Sequence, residues 1–203
     1  MDFLSDQLFD GRQIRILTVV DAFSKLSPAI DVRFRYTGAD VVATLNRVTG
    51  IYGVPQTIRV DNGPEFVSRS LDLWAYQHGV VLDFSRPGTP IDNSFVEAFN
   101  GKVRAECIDQ NWFLSLADAR LKCETFRHEY NGERPHISIG HKTPASRWSH
   151  EAGGRVRPWS SIRGRSNLTG NSHVHWSNFV GGDHGWTCPN VLGRASSPFQ
   201  SSI

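Results

Sequence analysis

Three cysteines in 203 residues, Cys107, Cys123 and Cys188, show neither CxxC spacing nor a paired framework. This leaves no basis for a disulfide scaffold and fits a reducing compartment. Histidine is equally spare in pattern: His78, His128, His136 and His141 lack HExxH or finger spacing, and His173 with His175 is too slight for a zinc site. No apolar run approaches the roughly 18 residues of a membrane span, and no basic-then-apolar leader opens the chain, so the expectation is a cytoplasmic protein without membrane contact. An excess of one charge is also missing. Lys and Arg total 22 against 20 Asp and Glu, so affinity for nucleic acid cannot come from bulk basicity and must come from local patches. There is no internal repeat, and the length suits one well-buried domain with some chain left over.

What is present reads as strands first, then alternation. Phe9-Asp10-Gly11-Arg12 supplies hairpin chemistry between MDFLSDQL and QIRILTVVDAF, and AIDVRFRY follows as a third strand. Thr37 and Asp40 form a capping box, and Val41, Leu45, Val48 and Tyr52 recur at helical spacing, which predicts a helix over 38–52 ended by Gly53 and Pro55. QTIRV is then a short strand that a crossover helix lays parallel to the first. Leu71, Trp74, Ala75 and His78 mark another helix and VVLDFS another strand, before a Pro-Gly loop leads into the helical stretch IDNSFVEAFNGKVRAECI. A last helix is capped by Ser115 with Asp118 and carries Leu116, Ala119, Cys123, Phe126 and Tyr130 on one face, which should pack on the sheet. The pattern predicts a mixed α/β sheet. After Trp148 the text turns Gly- and Ser-rich without period, and irregular or disordered structure is expected over 148–203. Trp159, Trp176 and Trp186 lie there without basic interleaving, a poor stacking surface for nucleic acid.

Three acids stand out. Asp2 opens the first strand, Asp61 follows QTIRV in DNGPEF, and Glu97 lies in the helical stretch thirty-five residues beyond Asp61. Phosphodiester chemistry needs an activated attacking oxygen and a stabilised leaving oxygen, and two magnesium ions roughly 3.5–4 Å apart supply both. Magnesium favours hard carboxylate oxygens and keeps several waters, so two or three acids from different elements suffice. Taken singly, each acid has an ordinary reading: a solvated terminus, an Asp-Asn-Gly turn, a polar helix face. Context favours the joint reading, because Asn93, Glu97, Asn100 and Arg104 form a polar stripe for a substrate, while Phe95, Phe99 and Val103 go to the core. Arg104 is placed to hold a DNA phosphate, and Lys102, pointing elsewhere on the helix, adds a second cation. Asp6 and Asp21 are the alternatives for the first acid; the MDFLSD context favours Asp2.

VDNGPEF, SRPGTPIDNSFVEAFNGKVRAEC and YNGERPHISIGHKTP, in that order, resemble the catalytic half of bacterial insertion-sequence transposases of the OrfA/OrfB class, within the retroviral-integrase superfamily. The resemblance covers residues 1–147. It implies a ribonuclease H-like fold, a central five-stranded mixed sheet flanked by helices, and a D,D(35)E triad on Asp2, Asp61 and Glu97 that binds two Mg²⁺ or Mn²⁺ ions. It further implies DNA cleavage and strand transfer on transposon ends and target, a homo-oligomeric synaptic complex, and association with the nucleoid. Arg104 matches a basic position seven beyond the glutamate; Asn62, Gly63 and Glu65 match the loop after the second acid. Asn131, Arg134, Pro135 and His136 match the closing signature and are expected to anchor the C-terminal helix. Two departures are read as truncation: no helix-turn-helix region precedes Asp2, and some fifty unrelated residues follow the family pattern. The alternative they imply is an impaired remnant that assembles with full-length transposase and interferes with it.

Overall fold

Alternation along the first three strands assigns the two faces of their sheet before any helix is considered. The computed structural model describes residues 1–85 and 94–151; β1 (Asp2–Gln7) pairs antiparallel with β2 (Gln13–Val19), and β2 with β3 (Ala29–Arg33). The first hairpin turns on Gly11, whose φ of 82° is the left-handed value that glycine adopts without a Cβ clash. With a side-chain period of two, Leu4, Ile14, Ile16, Ile30 and Val32 point to one face, and Phe3 and Leu17 to the other.

Each face is covered by helices. On the first lie α3 (Ser94–Val103), a π-helical turn (Arg104–Ile108) and α4 (Leu116–Gly132), contributing Phe99, Val103, Cys107, Phe126 and Tyr130. On the second lie α1 (Gly38–Tyr52) and α2 (Arg69–His78), which bring Val41, Leu45, Leu71 and Trp74 against Leu17 and against β4 (Thr57–Val60). The α1 bounds agree with the sequence reading because its ends are chemically marked. Asp40 N–H donates to Thr37 Oγ1, Thr37 N–H donates back to the Asp40 carboxylate, and Gly53 closes the helix at φ 86°.

Among the described residues there are five strands of mixed sense, the number that the resemblance implies, but their pairing is not continuous. β4 pairs in parallel with β5 (Val81–Phe84) and forms a separate two-stranded set. The Met1 ammonium donates to the Arg59 carbonyl at 2.7 Å and joins the two sets where β1 begins and β4 ends.

Two further differences concern the helices. Phe95, expected in the core, is exposed, and Val96 takes its place. The buried set Val96, Phe99, Asn100 and Val103 follows i, i+3, i+4, i+7, and Phe95 lies at its margin. The last helix, α5 (Pro144–Glu151), runs through the boundary expected at residue 147, and Trp148 packs edge-on against Tyr52 with ring centroids 5.2 Å apart. The remainder of the expected irregular extension lies outside the described residues, with Cys188 and the tail tryptophans and histidines. Among the described residues, no helix is long and apolar enough to cross a membrane. Cys107 and Cys123 are buried free thiols with Sγ atoms 4.0 Å apart.

The closing signature anchors the end of α4. Asn131 is fully buried; its Oδ1 accepts from Ser27 N–H and its Nδ2 donates to Ser27 C=O, both at 2.8 Å, so one side-chain amide satisfies both backbone groups of one residue in the β2–β3 connection. His136 packs edge-on against Tyr130, and Arg134 pairs with Glu106. Replacing Asn131 by Ala leaves the Ser27 N–H without this partner in a buried place, and should cost about 2–3 kcal/mol in urea unfolding; a loss below half a kcal/mol would contradict the anchoring role.

Candidate active site

Asp2 and Thr18 face each other across the β1–β2 ladder, and parity places both side chains on the side covered by α3. Asn100, buried on α3, closes the arrangement: its Nδ2 donates to Asp2 Oδ2 at 2.8 Å, and its Oδ1 accepts from Thr18 Oγ1 at 2.7 Å. Asp2 Oδ1 accepts from the Phe3 N–H at 2.7 Å. The polar stripe therefore does not face outward along its whole length. Asn100 is taken up by protein partners on both ends of its amide, a correction to the expectation that it meets DNA. Glu97 sits one turn before Asn100, about 60° round the helix axis, and is exposed at the edge of the same side.

Asp61 stands at the end of β4 in a loop fixed by its own chemistry. Gly63 N–H donates to Asp61 Oδ1 at 2.8 Å, and a Cβ at Gly63 would lie 2.9 Å from that oxygen and 3.3 Å from Glu65 Oε2, so a side chain there would press on both carboxylates. Asn62 Nδ2 ties the loop to the Ser85 carbonyl after β5 at 2.9 Å. Glu65 is buried and pairs with Arg15 of β2, whose guanidinium lies 4.4 Å over the Phe3 ring; Phe3 in turn stacks on buried Phe66. The loop that follows the second acid is thus wired through Arg15 and Phe3 to the strand that carries the first.

The Asp2 carboxyl senses Asp61. Burial is the largest cause raising the Asp2 carboxyl above the usual range and the charge of Asp61 adds to it, while the Phe3 N–H and the Asn100 amide pull the other way. A hard carboxylate whose ionisation a second carboxylate opposes suits a divalent cation, which would offset that repulsion. Among the described residues, no three His, Cys, Asp or Glu side chains stand close enough to hold a metal ion, so Glu97 is not gathered with the aspartates. The hard oxygen donors of Asp2 and Asp61 are of the kind that magnesium or manganese takes.

A raised carboxyl binds its proton more tightly in the folded chain than in the unfolded one, so metal-free stability should fall as pH rises through the Asp2 titration. Saturating Mn²⁺ should reverse that trend, because cation binding requires the ionised form. Urea midpoints against pH, with and without Mn²⁺, measure both; identical slopes would mean that Asp2 does not meet the ion.

Of the remaining candidates, Arg104 is exposed at the start of the π-helical turn, and Asn93 lies outside the described residues. Lys102 is exposed with Nζ 5.8 Å from the Tyr130 ring centroid. Asp21, the alternative first acid, accepts from the Ser24 N–H at 2.8 Å and serves the β2–β3 turn. Sequence reasoning missed Thr18, Arg15 and the inward role of Asn100. The signal for Thr18 was available: a hydroxyl at a core-facing position of a strand whose neighbours in parity, Ile14 and Ile16, are apolar.

Two family models, each described as an integrase core domain, match residues 1–90 and 78–144. The insertion element IS407 uncharacterized 31.7 kDa protein of Burkholderia multivorans is 42% identical over 145 residues, covering 71% of this chain and 52% of that protein. The IS476 uncharacterized 39.2 kDa protein of Xanthomonas euvesicatoria is 45% identical over 145 residues, covering 71% of this chain and 42% of its own length. The chain thus spans about half the length of these relatives. Among solved structures, the HTLV-2 integrase catalytic core domain in complex with magnesium, in a trimeric form, superposes with a TM-score of 0.55 at 18% identity over 71% of this chain and 93% of that one. At that identity the likeness concerns the fold, which is of the ribonuclease H-like kind.

Proposed function

The chain belongs to the integrase core domain family, as the core of an insertion-sequence transposase, and from that premise we propose that it cleaves and joins DNA strands with divalent metal ions held by Asp2, Asp61 and Glu97. The observation that carries the reading is the convergence of Asp2 and Asp61 from separate strand sets, with Glu97 one turn from the asparagine that bonds Asp2. Magnesium or manganese, two ions when bound, supplies the positive charge that activates the attacking oxygen and stabilises the leaving one.

The protein's own residues do the holding. Asn100 fixes the Asp2 carboxylate against the helix that carries Glu97; it is a positioning residue. Glu65 and Arg15 hold the Asp61 loop. Arg104 and Lys102, with Asn93 on the same stretch, are the proposed DNA contacts, with Arg104 suited to a phosphate by its planar fork. The substrates are transposon ends and target DNA, and two ends in one reaction imply a homo-oligomeric synaptic complex. Binding to DNA would keep the protein on the nucleoid. No observation favours the alternative of a non-catalytic interfering remnant.

The test is a joining assay with a pre-cut transposon-end oligonucleotide and plasmid target. Joined product with Mg²⁺ or Mn²⁺ and none in EDTA is the expected result. Product that forms equally well in EDTA would remove the metal-dependent reading.

A further inference from the structure

We infer that a second groove, across α3 from the carboxylates, binds unpaired nucleotides of a DNA strand. It is a shallow cavity of about 670 Å³ whose lining includes Phe23, Phe95, Lys25, Lys142 and Arg147, with three cations and no acid. The inference rests on the proposed DNA substrate and adds to it where, and in what form, a strand is held.

Four observations point to this ligand. Phe23 and Phe95 are each 57% exposed, and each lies under a cation: Lys25 Nζ is 3.7 Å from the Phe95 ring centroid and the Arg147 guanidinium carbon is 4.7 Å from that of Phe23. Flat apolar faces beside positive charges are what unpaired bases and their phosphates require together. Among the described residues, the only non-glycine positions at positive φ are Lys25 (63°) and His141 (57°), and both flank this groove. Such backbone conformations gather at ligand clamps, and a chain selected only to turn at position 25 would carry glycine there. The positive field also extends beyond the lining: Lys102 lies on the Phe95 side of α3 two turns along, and Lys102, Arg134 and Lys25 all bear on nearby His136. Asp21, beside the lining, bonds the Ser24 N–H and hydroxyl and its charge also reaches Lys25, whose Nζ donates to the Ala22 carbonyl at 2.6 Å.

Placement supports the same ligand. Phe95 and Glu97 lie on nearly opposite sides of the first turn of α3, so groove and carboxylate are separated by one helix diameter, roughly 10–12 Å. A strand leaving the carboxylates over that turn reaches the rings within a few nucleotides.

The test is fluorescence anisotropy of labelled dT12, and of a duplex of equal length, titrated with the full chain in EDTA so that the carboxylates contribute no metal-bridged binding. Phe23→Ala with Phe95→Ala, and separately Lys25→Gly, should weaken dT12 binding about 5-fold or more. Lys25→Gly should do so while unfolding at the same or a higher urea concentration, since glycine relieves the strained φ. Losses below 5-fold in folded variants, no binding of dT12 by the wild type, or equal losses on duplex would each overturn the groove. Failure of the metal-dependent reading would show in the joining assay and leave these titrations unchanged, so the two fail separately.

Discussion

Asp61→Asn and Glu97→Gln should each reduce strand joining by a factor on the order of 10³ or more while leaving the urea midpoint near that of the wild type. Both replacements keep shape and remove the anionic charge that a divalent cation requires. At position 61, the side-chain oxygen that accepts from Gly63 N–H persists in the amide, so the turn should survive. Glu97 is exposed, and its change disturbs no packing. Single-turnover joining with Mn²⁺, alongside urea unfolding, separates loss of chemistry from loss of fold. Joining that remains within tenfold of wild type in either folded variant would dismiss that carboxylate from the reaction.

The second large effect concerns a residue that touches neither metal nor DNA in this account. Asn100→Leu should lower joining about 10- to 100-fold and raise the Mn²⁺ concentration for half-maximal rate, because a metal ligand without its supporting hydrogen bond is poorly held. It should also cost about 1–3 kcal/mol, since the buried Thr18 hydroxyl loses its acceptor on Asn100. The shift in metal dependence is the informative readout. A purely structural role would lower the amount of folded protein without moving the half-saturating Mn²⁺. Asn100→Asp provides the complementary case: it can accept from Thr18 but brings a second negative charge against Asp2, and should impair Mn²⁺ binding least at high metal concentration.

How much of this was legible in the sequence follows from which features are local. The bounds of α1 could be read because the Thr37–Asp40 box and Gly53 act within a few residues, and the DNGPEF turn because Asp61 and Gly63 bond each other. The Phe9–Arg12 hairpin and the Ser115 cap are of the same kind. Tertiary choices escaped. Whether Phe95 or Val96 faces the core depends on how α3 is rotated against the sheet, and the hydrophobic pattern allowed both. Asn100 read as a surface residue because a polar side chain at helical spacing from Glu97 implies a shared face; its burial follows from Thr18 and Asp2 waiting on the strand side, eighty-two and ninety-eight residues away in sequence. The division of the five strands into three and two could not be read either, because it depends on how β1 and β4, remote in sequence, are placed. Asp2, Asp61 and Glu97 were legible as candidates from motif context, and Glu65 from the DNGPEF loop, whereas their strand-side supports, Arg15 and Thr18, lie in a segment without a motif.

The most direct test of the central claim is a crystal structure of the chain grown or soaked with Mn²⁺ and measured for anomalous scattering. An anomalous peak is expected between the carboxylates of Asp2 and Asp61, with the Glu97 side chain drawn in from its exposed position. Saturating Mn²⁺ with no peak at Asp2 and Asp61, or a peak that Glu97 ignores, would contradict it.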